Sequence, residues 1–177
     1  MGYSLSWIAV KNGSAERINS LLGLVPTGRY EEIPESEFDA IFLPQRWYLV
    51  VFNNQQIDDH ILQKVSSSEE IVHCFVEEHV MFSSVEGWLN GEKIWSAVHD
   101  SEKGISHLEI IGKCPKSMID IRQRLTAQAT SSGSEQSEID FIFDVPVELA
   151  RELTGFCHDR DTPGIEGTAF QILKRRP

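Results

Sequence analysis

Residues 69–113, EEIVHCFVEEHVMFSSVEGWLNGEKIWSAVHDSEKGISHLEIIGK, decide the fold. At their centre Asn90-Gly91 separates two alternating segments, and that pair supplies the positive φ angles of a two-residue type I′ hairpin turn. The turn predicts Leu89 opposite Glu92 and Trp88 opposite Lys93. Continued without a break, the register sets Glu86 against Trp95, Ser84 against Ala97 and Phe82 against His99. Phe82, Trp88, Trp95 and His99 then form an aromatic row on one face, with Met81, Val85, Leu89, Ile94 and Val98 on the other. Both faces are partly apolar, unlike a sheet with one wet side. Either helices cover both, or the aromatic face is kept for a partner. A meander is predicted, with strands over 80–89, 93–100 and 106–111.

Upstream, Tyr3 to Lys11 alternates and ends at Asn12-Gly13, as a strand does. Ser14 is a good N-cap, and Ala15, Ile18, Leu21, Leu22 and Val25 recur at helical spacing around a Gly23 stop. Arg29 to Asp39 reads as a short edge strand followed by a loop. Arg46 to Asn53, RWYLVVFN, is continuously apolar and predicts a central strand buried on both faces. A second helix starts at Asp58 or Asp59, with Ile61, Leu62 and Val65 on its apolar side. Residues 3–78 thus read strand, helix, weak strand, strong strand, helix, strand, the ferredoxin-like βαββαβ order. The expected class is α+β: a mainly antiparallel sheet, that unit extended by the meander, with helices packed on it.

Downstream, Met118, Ile121 and Leu125 recur three and four apart after Ser117, predicting a helix to about residue 129. The Ser-rich stretch 130–138 is expected to be a mobile loop within a single domain spanning 1–177. A short strand is predicted over Ile139 to Phe143. A fourth helix starts at Asp144-Val145-Pro146 and stops at Gly155. A loop then leads to an apolar segment at Phe170 to Leu173.

The formal charge of −11 speaks against nucleic acid, whose phosphates call for clustered Lys and Arg, and suits a basic protein partner. Three cysteines without paired spacing give neither a disulfide framework nor a zinc or redox CxxC, which implies a reducing compartment. No leader pattern or membrane-length apolar run is evident, so a cytoplasmic protein without membrane contact is expected.

No phosphate loop, dinucleotide fingerprint, nucleophile elbow or HExxH motif occurs, so no cofactor is expected and enzyme activity is disfavoured. Four constellations remain. His107 and Glu109 share a face of one strand, with His99 ending the adjacent one, yet spacing specifies no third ligand and no metal site is expected. Cys157-His158-Asp159-Arg160-Asp161 lies in a loop, where reactive groups are often held. Adjacent Cys and His side chains tend to diverge, so a polar loop is the favoured reading. A thiol nucleophile with His99 or His107 as base is the enzyme alternative. The aromatic row with Trp88, Trp95 and Phe82 is either core or an interface hot spot. The acidic stretch Glu31, Glu32, Glu35, Glu37 and Asp39 is either a solvated edge or a surface for a basic partner.

The phrases SLSWIAVK, LGLVPTGRYEEIPES, RWYLVVFN, GWLNGEKIWSAVHD and LTGFCHD together resemble a group of uncharacterised bacterial proteins, over most of the chain. The resemblance implies a bacterial cytosolic origin and carries no activity or site residue. In general character, small acidic α+β proteins of this kind are similar to immunity proteins, which cover cationic toxins. The leading expectation is a non-enzymatic protein-binding module, immunity-like in type. The alternatives are a small hydrolase or metal-dependent enzyme, and a structural homodimer.

Overall fold

A computed structural model of the chain describes residues 2–131 and 141–177. In order, the elements are β1 (Ser4–Lys11), α1 (Ala15–Leu22), β2 (Leu24–Glu31), β3 (Phe38–Leu43), β4 (Trp47–Asn53), α2 (Asp59–Val65) and β5 (Ile71–Glu77). There follow β6 (Phe82–Leu89), β7 (Glu92–Asp100), β8 (Glu109–Gly112), α3 (Ser117–Ser131), α4 (Asp144–Thr154) and β9 (Phe170–Arg175). Among the described residues the strands form one antiparallel sheet, ordered β2-β9-β3-β4-β1-β5-β6-β7-β8. The mixed α+β class and the antiparallel sheet are therefore as expected. Set β2 aside, and β3-β4-β1-β5 is the spatial order of the remaining N-terminal strands, with α1 and α2 on a common face.

Helices cover both faces of the sheet's centre, which is why β4 is apolar along its length. On one face Ile18 of α1 and Leu62 and Val65 of α2 pack against Ile8, Val10, Tyr48, Val50 and Ile71. On the other, Met118, Ile121 and Leu125 of α3 and Val145, Leu149 and Ala150 of α4 pack against Trp7, Leu49, Val51, Val72 and Val76. The helix ends follow local chemistry. Ser14 Oγ accepts from the Arg17 N–H, and Gly23, at φ 69°, closes α1 in the left-handed conformation.

Four expectations are corrected. The register next to the turn holds, with Leu89 opposite Glu92 and Trp88 opposite Lys93, but a bulge then puts Gly87 opposite Trp95. Glu86 therefore faces Ser96, Ser84 faces Val98 and Phe82 faces Asp100. One extra residue on β7 reverses its faces, so the single aromatic row does not exist. Trp88 is buried with α1 and α2, and Trp95 is buried with α3 and α4. Glycine at 87 permits this, because a Cβ there would run into the Trp95 indole.

Second, Val25 belongs to β2 and not to the first helix, since the chain reverses at Gly23. Third, Arg29 to Asp39 does begin in an edge strand, the end of β2, and continue as a loop, but the loop stops at residue 37: Phe38 and Asp39 open β3, where Asp39 is wholly buried. Fourth, 141–143 form a turn into α4 in place of a strand, while residues 139 and 140 lie outside the described residues. The predicted Ser-rich loop begins inside α3, at 130–131, and from 132 onward also lies outside them.

Candidate functional site

Gly155, at φ 85°, ends α4 and turns the chain back across the end of the sheet. Phe156 anchors this return by packing edge-on to Trp7 at 5.5 Å and against Phe170 at 6.3 Å between ring centres. Cys157 and Thr162 are buried beside it, and the Ile165 N–H donates to the Thr162 carbonyl. Arg160 donates to Glu148 Oε1 of α4 at 2.6 Å, and Glu148 also receives Arg124 of α3 at 3.3 Å. The loop from 156 to 162 is thereby fixed to both helices and to the core.

Opposite stands the loop between β2 and β3, built around Glu31. Its carboxylate accepts from the N–H groups of Glu35 and Ser36, at 2.7 and 2.8 Å, and from the Ser36 hydroxyl. Asn53 of β4 donates to the carbonyls of Pro34 and Ser36. Between the loops lies a cleft of about 650 Å³, walled by Glu32, Ile33 and Pro34 on one side and by residues of the 156–167 segment on the other. A smaller hollow of about 240 Å³ adjoins it, and Tyr3 and His158 line both.

The expected divergence of Cys157 and His158 is overcome by a turn at 158–159 that folds the side chains inward. The Cys157 thiol donates to Asp159 Oδ1 at 2.9 Å. Burial pushes that thiol up to about 12, and Asp159 adds to the effect, so it is no thiolate at neutral pH. Asp159 is lowered: burial opposes this, but the thiol hydrogen bond, His158 and Arg160 outweigh it. The His158 side chain is 5% exposed, its Nε2 lies 3.5 Å from Glu78 Oε1, and Tyr3 packs edge-on to its ring at 4.9 Å. Neither ring nitrogen has a hydrogen-bond partner.

The other sequence candidates lie elsewhere. His99 is buried on β7, its Nδ1 2.7 Å from the His107 carbonyl, and His107 Nδ1 accepts from the Asp100 N–H at 3.1 Å. These contacts tie down the 101–108 loop, and Glu109 is exposed on β8. None of the three lines the cleft. Of the acidic stretch, Glu32, Glu35 and Glu37 are exposed, Glu31 is occupied by its own loop, and Asp39 is buried. Phe82 packs on Phe75 at 5.7 Å.

Sequence reasoning missed Tyr3, which lines the cleft, and Glu78, which meets His158; pairing of β1 with β5 brings both there. It also missed the buried network in which Glu86 meets His73 Nδ1 at 3.4 Å, Lys93 Nζ at 2.7 Å and the Trp88 indole N–H at 3.0 Å. Burial works against the Glu86 charge, yet these partners bring its pKa to about 2. Asp39 had one signal, its place in the inward alternation Asp39, Ile41, Leu43.

Fold and cleft together define an α+β protein with a helix pair on each face of the sheet and a polar cleft at its end. No family model, curated protein or solved structure matches the chain. No helix among the described residues is long and apolar enough to cross a membrane.

Proposed function

We infer that the protein is a non-enzymatic binding module whose cleft receives a cationic segment of a basic protein. One observation carries this reading. The cleft and its adjoining hollow carry Glu32, Glu35, Asp159 and Asp161 against one Lys or Arg among their lining residues, Arg160, which lies between Glu148 at 2.6 Å and Asp159 at 3.8 Å and so leaves Glu32, Glu35 and Asp161 in excess. The excess negative field there fits the chain's charge of −11 and would steer a basic partner in. The acidic surface of the sequence reading thus narrows to Glu32 and Glu35, joined by the far wall of the cleft. An immunity-type protein in the cytoplasm of a bacterium is the form of this role that the charge and the resemblance favour. The same proposal takes β1, α1, β3, β4, α2 and β5 as a ferredoxin-like unit into which β2 is inserted.

The hydrolase alternative has less support, because His99 and His107, the bases it called on, lie outside the lining of the cleft and its hollow. A homodimer joined through the sheet edge has one favouring observation: all four residues of β8 are exposed, Ile111 at 58%.

Capture from a native lysate tests the main reading. The tagged protein is expected to retain one basic protein at low salt and release it at high salt. Glu32→Lys combined with Asp161→Lys is expected to abolish capture while the fold, followed by circular dichroism, is kept. Undiminished capture by that variant overturns the cleft as the binding surface.

A further inference from the structure

The geometry points to a transition-metal site of zinc type in the wall of the cleft, with Cys157 Sγ, a ring nitrogen of His158 and a carboxylate oxygen of Asp159 as three ligands. These atoms lie within 4.8 Å of one another. In a tetrahedral zinc site, with metal–ligand bonds of about 2.0–2.3 Å, neighbouring ligand atoms stand roughly 3.3–3.8 Å apart. Small side-chain rotations therefore suffice.

The His158 side chain is 95% out of solvent by its 5% exposure, lines the cleft, and has no hydrogen bond at either ring nitrogen. A buried imidazole left in that state is costly unless something else satisfies it. Nε2 lies 3.5 Å from Glu78 Oε1, the kind of carboxylate contact that orients a metal-bound histidine, and this leaves Nδ1 for the ion. Glu78 is itself held, since Oε2 accepts from the Tyr3 N–H at 2.8 Å.

The donor set selects the ion. A thiolate with an imidazole and a carboxylate suits Zn²⁺ and its first-row neighbours, whereas Ca²⁺ and Mg²⁺ take oxygen ligands. On binding, the metal–sulfur bond replaces the S–H bond and the thiol proton leaves to solvent. The ion then takes the place of that proton against Asp159 Oδ1. The loop is firm enough to hold an ion, because Phe156 is packed in the core and Arg160 is bound to Glu148. Three protein ligands leave a fourth position on the cleft side.

The test uses the full chain, reduced, with any tag removed, and Co²⁺ as a spectroscopic probe. A thiolate-to-cobalt charge-transfer band is expected, saturating at one equivalent and bleached by one equivalent of Zn²⁺. Cys74→Ser and Cys114→Ser should keep the band, and Cys157→Ser should remove it. His158→Gln and Asp159→Asn should each weaken Co²⁺ binding by at least the ~10–100-fold that changes around a metal site produce. The absence of a band in the unmodified protein overturns the site, as does a band that survives Cys157→Ser. If Cys157→Ser does not fold, the other two variants decide, and unchanged affinity in both overturns it. No partner enters this experiment, so its failure leaves the basic-partner reading standing, and the reverse holds too.

Discussion

With both oxygens out of solvent, the Asp39 carboxyl is pushed up to about 8 by burial and by the Glu31 carboxylate beside it. It is protonated in the folded protein at pH 7 and ionised in the unfolded chain. The contribution this makes to stability is complete below the unfolded value near 3.8 and is lost as pH rises through 8. Asp39→Asn removes the dependence. Its stability relative to the parent should climb between pH 5 and 8 by up to about 1.4 kcal/mol per pH unit, read by urea unfolding. A difference that is flat with pH would show that Asp39 is not held protonated. Glu86 works in the opposite sense, because its pKa is lowered to about 2. Its contribution is present above about 4.5 and is lost as pH falls towards 2, on the order of 3 kcal/mol in all. Glu86→Gln should accordingly be destabilised at pH 7 and differ least from the parent at pH 2. Neither group could be assigned from sequence, since each pKa is set by neighbours on other strands.

At the scale of elements, the β6–β7 bulge separates what local sequence determines from what packing determines. Asn90-Gly91 marks the turn through the φ angles it needs, so the hairpin and its first pairs are legible. The shift at Gly87 is settled by room for the Trp95 indole, a contact between strands that alternation does not encode. Gly87→Ala should therefore destabilise the protein by about 1–3 kcal/mol, the usual range for overpacking, with the loss measured as a lower urea midpoint. An unchanged midpoint would mean that Trp95 does not depend on the missing side chain. The caps at Ser14, Gly23 and Gly155 were legible for the same local reason. By contrast β9 enters between β2 and β3, and Thr27 Oγ1 donates to the Ile172 carbonyl 145 residues away. No local pattern specifies such a pairing. The site divides along the same line: Gly155 announced a polar loop at Cys157 to Asp161, but Tyr3, Glu78 and the 32–35 segment reach it only through the sheet.

At the scale of the whole molecule, helices on both faces use up the aromatic surface that the sequence offered as an interface. The binding site we propose lies instead on loops at one end of the sheet, where loops on a rigid scaffold commonly carry function. There acidic residues from distant parts of the chain, Glu32 and Glu35 with Asp159 and Asp161, share one cleft and its hollow, and like charges gathered in a cleft focus their field. Salt should weaken partner capture, and it should do so mainly through association rate, the signature of steering between opposite charges. The most direct test of the cleft as the working surface is site-specific photocrosslinking in native lysate. The photoreactive residue replaces Ile33, exposed on the cleft wall, or Ile119, exposed on α3, away from the cleft lining. The account predicts one basic protein crosslinked from position 33 and none of it from position 119. Equal crosslinking from both positions, or from 119 alone, would contradict it.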